Sequence, residues 1–164
     1  MKIIKNNIIK VLLGILVLAS FSACDEAGDP NPGGVTTKDF AGDWYITITN
    51  AAGAVQVDHA LHTTYNTSAN DNTMWIDDAK HGWWIKCKMT VNLADGTFTA
   101  TAQPNIIDSG TVTITEGKIE KGAGLSKAGH VVDKISFKAV FSYDPGNTLT
   151  FVGHKRTGFL EDEY

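Results

Sequence analysis

The sequence predicts an all-β domain, with about eight antiparallel strands closed into an up-and-down barrel. Three observations carry this. From Thr36 onward apolar and polar residues alternate with a period of two, the period of a strand with one buried face. Short stretches rich in Gly, Asn, Asp and Pro punctuate that alternation as turns. No stretch beyond Cys24 carries a helical period of useful length. Closure removes the unpaired edges that sequential amphipathic strands would otherwise present. An immunoglobulin-like sandwich would want about seven short strands and a Cys…Trp…Cys spacing. Here two strands run to about eleven residues, and no cysteine pair accompanies them.

The elements follow in order. Residues 1–10 are short and basic through Lys2, Lys5 and Lys10, and residues 11–18 are apolar. Ala19-Ser20-Phe21-Ser22-Ala23 then ends on a small residue, so residues 1–23 read as a secretory signal. The apolar run is shorter than the roughly 20 residues a spanning helix needs. Residues 24–35 include DEAGDPNPGGV, which has little to bury and reads as a flexible tether. The barrel domain is residues 36–164.

Within it, Trp44, Ile46 and Ile48 share one face of the first strand, and residues 50–53 turn the chain. Val57, His59 and Leu61 share the inner face of the second strand. After a polar loop at 66–72, residues 74–76 form a short third strand with Trp75 inward. Residues 83–93 form a long fourth strand whose inner face is Trp83, Ile85, Cys87, Met89 and Val91. Asp95-Gly96 makes a tight hairpin, since that pair tolerates positive φ. The fifth strand, 97–101, carries Phe98 and Ala100 inward and ends before Pro104. Residues 111–120 form the sixth strand with Ile114 inward, and 122–129 a Gly-rich connection. The seventh strand, 131–143, has Ile135, Phe137, Ala139 and Phe141 inward. Asp144-Pro145-Gly146-Asn147 is a strong turn, and the eighth strand is 149–155 with Phe151 inward.

Composition bounds the partners. The chain has 164 residues; without residues 1–23 it keeps 141, one domain's worth, with 11 Lys and Arg against 18 Asp and Glu. A net charge of −7 without a basic stripe argues against a nucleic-acid partner. Cys87 lies on a wholly apolar face and reads as a small core residue.

Residues 38–45, KDFAGDWY, resemble the Gly-x-Trp signature that opens the first strand of lipocalins and related calycins. The resemblance implies Phe40 on the turn that closes the barrel floor, Gly42 at a sharp strand entry, and Trp44 plugging the closed end. It also implies an arginine packed across that tryptophan from the end of the last strand. Arg156, the sole arginine of the sequence, stands there. The Thr-Asp-Tyr motif that lipocalins often carry before the penultimate strand is missing from residues 121–130.

Cys24, directly after Ala23, resembles the lipidation site of bacterial lipoproteins. That implies a thioether-linked diacyl anchor at Cys24 and a lipid-anchored protein of the outer membrane. The acidic residues after Cys24 resemble a surface-export signal of Bacteroidetes lipoproteins, whereas enterobacteria would read Asp there as inner-membrane retention. Over residues 36–164 the chain resembles the small lipocalin-like lipoproteins of Bacteroidetes, a family described as lipid-binding and as hydrolases.

An eight-stranded barrel either fills with side chains or encloses one small ligand. The predicted interior is apolar, with small residues at Ala100, Ala139 and Gly153 that favour a cavity. The expected function is non-covalent binding of a small hydrophobic molecule or lipid, without catalysis, by a monomer. His59, Trp75, Trp83, Met89, Phe137 and Phe141 are the expected lining. No catalytic residue, metal or cofactor is expected. His59 and His62, three apart on a strand, face opposite sides, and zinc needs three or four converging ligands.

Two other classes stay open. Gly124-Leu125-Ser126-Lys127-Ala128 matches a hydrolase nucleophile elbow, which requires a strand–turn–helix setting. Trp75, Trp83 and Trp84 flank one turn and could form a platform for a sugar or protein. Asp77-Asp78 and Glu161-Asp162-Glu163 read as solvated surface.

Overall fold

The structure, a computed structural model, describes residues 34–164; the expected signal segment, Cys24 and most of the expected tether lie outside them. Eight strands form among the described residues. They are β1 (Gly42–Thr49), β2 (Val55–Asn66), β3 (Thr73–Asp77), β4 (Lys86–Val91), β5 (Thr97–Pro104), β6 (Thr111–Leu125), β7 (Val131–Phe141) and β8 (Asp144–Lys155). Each pairs antiparallel with the next, and β8 returns to pair with β1 along Trp44–Thr49, closing the barrel.

The inner faces make one apolar core. Trp44, Ile46, Ile48, Met74, Ile76, Ile85, Cys87, Val91, Val112, Ile135, Ala139 and Phe151 are fully buried. Phe137 stacks on Phe151 with centroids 4.4 Å apart, and Phe98 lies 5.7 Å from Phe137. The expected inward faces of β4 and β7 are found as the alternation predicts.

Three strands break the alternation. The ladder slips between Ile46 and Ile48 opposite β2, between Ala100 and Gln103 on β5, and between Thr115 and Lys118 on β6. A non-glycine residue with positive φ sits at each slip: His59 (48°), Ala102 (45°) and Glu116 (54°). These are β-bulges, and each extra residue reverses which side chains face inward beyond it. Beyond His59 the buried residues of β2 are Ala60, His62 and Thr64, so the expectation that His59 and Leu61 point inward is corrected. Beyond Glu116 the inward set passes from Val112 and Ile114 to Gly117 and Ile119.

Other boundaries differ from the sequence reading. Trp83 and Trp84 lie in the loop before β4, with Trp84 at a φ of 55°. β6 runs on through the Gly-rich segment to Leu125. The β7–β8 turn is Ser142–Tyr143, and residues 145–147 are instead absorbed where the ladder slips between Val140–Thr148 and Phe141–Asp144. Pro145 lacks the N–H a regular ladder would need, so a slip is a place where it is tolerated.

A short 3-10 turn, Lys38–Phe40, caps one end. Phe40 packs against the core there, and its carbonyl accepts from Thr64 Oγ1 at 2.7 Å. The same hydroxyl oxygen accepts from Trp44 Nε1 at 2.9 Å, so the buried indole N–H is satisfied. The cation over the Trp44 ring is Lys155, its Nζ 5.9 Å from the centroid. Gly42 leaves the room: a Cβ there would stand 2.8 Å from Lys155 Cε. The implied Arg156–Trp44 packing is therefore corrected, because Arg156 is drawn instead to Glu163.

Two interior glycines, Gly117 and Gly153, are in close contact with neighbouring strands. A Cβ on Gly153 would strike the Tyr45 carbonyl and stand 2.8 Å from Ile46 Cα. A Cβ on Gly117 would strike the Phe98 carbonyl and stand 2.5 Å from its ring. Backbone cannot yield as a side-chain tip can, so Gly117→Ala and Gly153→Ala should each destabilise by about 1–3 kcal/mol in urea unfolding. Gly146→Ala, with nothing within 4 Å, should be close to neutral in the same assay.

Candidate functional site

The barrel interior is the natural binding volume, and the structure sorts the six expected lining residues. Met89, Phe137 and Phe141 are inside and buried. Trp83 is half-buried and packs against the core from the β3–β4 loop. His59 and Trp75 are outside. His59 is turned out by its own bulge, pairs with Asp58 at 2.8 Å and stacks on Tyr164 at 3.9 Å. Trp75 lies between buried Met74 and Ile76, facing outward under Lys88, whose Nζ is 5.4 Å from the ring. All three residues are apolar, so alternation alone had no contrast from which to choose a face.

The barrel is joined unequally. β4 and β5 pair at two positions only, Thr90–Thr99 and Val91–Phe98. At the far end Ile106 N donates to Lys86 O at 2.8 Å and Lys86 N to Asn105 Oδ1 at 2.9 Å. Between these ties Cys87–Met89 and Ala100–Gln103 have no ladder partner across the seam. The Ala102 bulge shifts the β5–β6 register at that level. Two clefts flank the two-pair tie. One, about 540 Å³, reaches Val91 and Phe98; the other, about 340 Å³, reaches Met89 and Ala100. The rim carries Thr73, Thr90, Thr99, Thr101, Gln103 and Lys88.

The interior also holds a histidine that alternation had placed outside. His62 is fully buried, edge-on to Phe151 at 6.0 Å. Its Nδ1 lies 2.9 Å from the Ala60 carbonyl, which fixes the proton on that nitrogen. Burial pushes its pKa down, outweighing the pull of Ala60, Asp78 and Asp77, so the ring is neutral. Its Nε2 has no partner. Above it the β3–β4 loop folds on Asp78, also fully buried, whose carboxylate accepts from Lys80 N at 2.9 Å and Gly82 N at 3.2 Å. A signal for the reversed face did exist: a buried Trp44 needs an acceptor, and Thr64 lies in phase with His62.

The reading of the acidic pairs as solvated surface is corrected twice. Asp78 closes the loop just described. Asp162 is buried and accepts from Ala128 N and Thr157 Oγ1, both at 2.7 Å. Its neighbour Glu163 receives Arg156 through Nε at 2.8 Å and Nη2 at 2.7 Å, and Tyr45 Oη at 2.5 Å. Residues 156–164 thus lie along the outside of β1, which explains why outward-facing Tyr45 is buried.

Ser126 sits in the tight β6–β7 turn with no helix after it. Its Oγ accepts from His130 N at 2.9 Å, and its hydroxyl serves the Asp162 carboxylate. That arrangement tethers the tail and lacks the strand–turn–helix of a nucleophile elbow. Trp84 is exposed with Lys80 Nζ 4.9 Å above its ring, while Trp83 and Trp75 face elsewhere, so the three tryptophans form no common platform. Among the described residues no three His, Cys, Asp or Glu side chains converge as a metal site.

A family model described as "Lipid-binding putative hydrolase" matches residues 29–160. No curated protein matches the chain.

Two outcomes follow from the titrating groups. Burial pushes the Cys87 thiol up to about 12, so the thiolate is scarce at neutral pH. Cys87 should stay unmodified by a disulfide reagent at pH 8 in the native protein and react fully in denaturant. For Asp162, burial raises the pKa, but the bonds from Ser126, Thr157 and Ala128 outweigh it and hold the group at about 2. A depressed carboxylate stabilises the fold above its unfolded value and loses that contribution as pH falls through the folded one. The tail should therefore hold at neutral pH and loosen between about pH 4 and pH 2. Hydrogen exchange at the Ala128 amide reads this, and Asp162→Asn should speed that exchange at neutral pH.

Proposed function

The chain belongs to the lipid-binding putative hydrolase family, and from that premise we propose that it binds the hydrocarbon portion of a lipid non-covalently through the β4–β5 seam. The observation that carries this reading is the seam itself. It is the join of the closed barrel with the shortest ladder, two pairs, and two surface clefts lie along it. In this reading the entering chain parts the two walls at that join, where the backbone pairing is shortest. Met89, Val91, Phe98 and Ala100 meet it first, and Phe137 and Phe141 line its path further in. Burying a methylene contributes roughly 0.8 kcal/mol, so about ten of them supply about 8 kcal/mol before the cost of opening. That gross figure corresponds to about micromolar affinity.

In this reading the protein is a non-catalytic binder held at the cell envelope by a lipid on Cys24. The Cys24 position lies outside the described residues, and the signal-like residues 1–23 support it. In this reading a lipid on Cys24 would bring the barrel to the membrane that carries its ligand.

Native mass spectrometry before and after solvent extraction tests the binding. The untreated protein should carry an apolar adduct that extraction removes and added lipid restores. Thr101→Trp, on the exposed rim of the cleft between β4 and β5, should weaken rebinding by about tenfold or more while the barrel still unfolds cooperatively. Rebinding unaffected by that substitution would exclude the seam. Cys24→Ala should move the protein from the membrane to the soluble fraction.

A further inference from the structure

We infer that the lipid bound at the β4–β5 seam is a glycolipid, its sugar head group held on the outer side of the seam by threonine hydroxyls of both strands. The inference rests on the binding reading above and adds the ligand's head group to it.

The outward positions of the two strands supply the chemistry. Lys88 and Thr90 on β4, and Thr99 and Thr101 on β5, are exposed between buried neighbours. Thr90 and Thr99 stand opposite each other as a ladder pair and line both clefts. The smaller cleft adds Thr101, Gln103 and Lys88 to the apolar side chains of Met89 and Ala100. Apolar contact and hydroxyls thus share one cleft, the two surfaces an amphiphile meets.

The polar groups suit a polyol. Each threonine hydroxyl both donates and accepts, as each sugar hydroxyl does. Gln103 Nε2 donates to the Thr101 carbonyl at 3.3 Å, which leaves its Oε1 as an acceptor. The backbone of Cys87–Met89 and Ala100–Gln103 has no ladder partner across the seam, so its polar groups add to the set. Thr73, by contrast, is already spent: its Oγ1 donates to Asp71 Oδ1 at 2.6 Å and lies 2.7 Å from Thr67 Oγ1.

Charge argues against an ionic head group. The chain carries 18 Asp and Glu, yet among the described residues neither cleft is lined by a carboxylate, so a cationic head finds no counter-charge. Lys88 is the one charged residue of the lining, and its Nζ lies 5.4 Å from the Trp75 ring centroid. A phosphate or carboxylate head is held best by several charged or forked donors, and a lone exposed ammonium gives little. The outer face of β6 and β7 differs: Lys138 pairs with Glu116 at 2.8 Å and Lys118 with Glu120 at 3.4 Å. The threonine face is therefore a feature of the seam and not of every wall of the barrel.

The test compares decyl β-glucoside, 1-decanol and decyl phosphate, each below its micelle concentration, in titrations of the full-length protein stripped of co-purified lipid. The glucoside should bind about tenfold more tightly than the alcohol, and the phosphate no more tightly than the alcohol. Thr99→Val combined with Thr101→Val removes two hydroxyls and keeps β-branched strand residues, and should bring glucoside and alcohol within about twofold of each other. The amide resonances of Thr90 and Thr99 should shift more with the glucoside than with the alcohol. Equal binding of glucoside and alcohol by the wild type, or a preference that survives the double substitution, would overturn the inference while leaving the apolar binding intact. So would tightest binding of decyl phosphate that is lost in Lys88→Met. Binding of none of the three would overturn the binding reading, and the inference with it.

Discussion

Closing strands of unequal length into one ring makes the ladders slip, and the slips decide what the barrel contains. β3 spans five residues and β6 fifteen, yet both must pair with their neighbours around one circumference. The mismatch is taken up by bulges at His59, Ala102 and Glu116, each in a left-handed conformation that L-residues adopt at a cost. Such residues persist only where the surrounding ladder over-determines them. Here pairs on either side of each slip do so, on β1 against β2 and on β6 against β7.

The slips then propagate into chemistry. The bulge at His59 carries His62 and Thr64 into the core and leaves His59 outside against Tyr164. Thr64 is at once useful, since it ties the Trp44 indole to the Phe40 carbonyl and so fastens the capping turn to the barrel wall. The bulge at Ala102 has the opposite effect. It falls on β5 at the level where the join to β4 has no ladder pairs, the join with least backbone pairing. One device therefore both tightens the capped end and loosens the wall.

The same device marks where sequence reasoning reaches its end. β1, β4, β7 and the middle of β8 keep strict alternation, and their inward faces were legible residue by residue, Phe137, Phe141, Met89 and Cys87 among them. On β2 the polar phase, Ala60-His62-Thr64, is the buried one. Hydrophobic patterning selects the other phase, and nothing local in Asp58-His59-Ala60 announces an extra residue. Trp75 failed for a different reason: a three-residue apolar run offers no alternation to read. The tail was illegible because its partners are remote, Tyr45 standing 118 positions from Glu163. Charges read as solvated by local composition were paired by the fold.

A closed barrel that admits a ligand through its wall, as proposed, opens where the least backbone pairing must be broken. Parting β6 from β7 would break pairing that runs from Val112 to Leu125, with every freed N–H and C=O left to find water in the apolar wall. Parting β4 from β5 breaks a ladder of two pairs, and the neighbouring rim is already rich in threonine hydroxyls that can take up freed groups. Closure by β1 and β8 stays intact meanwhile, along six consecutive pairs from Trp44 to Thr49, so the ring keeps its shape while one seam yields. The weakness is confined to the level of Ala102 by the ties at Thr90–Thr99 on one side and Lys86–Ile106 on the other. Local opening of that kind needs far less free energy than global unfolding, which is the condition for a closed barrel to exchange a ligand without coming apart.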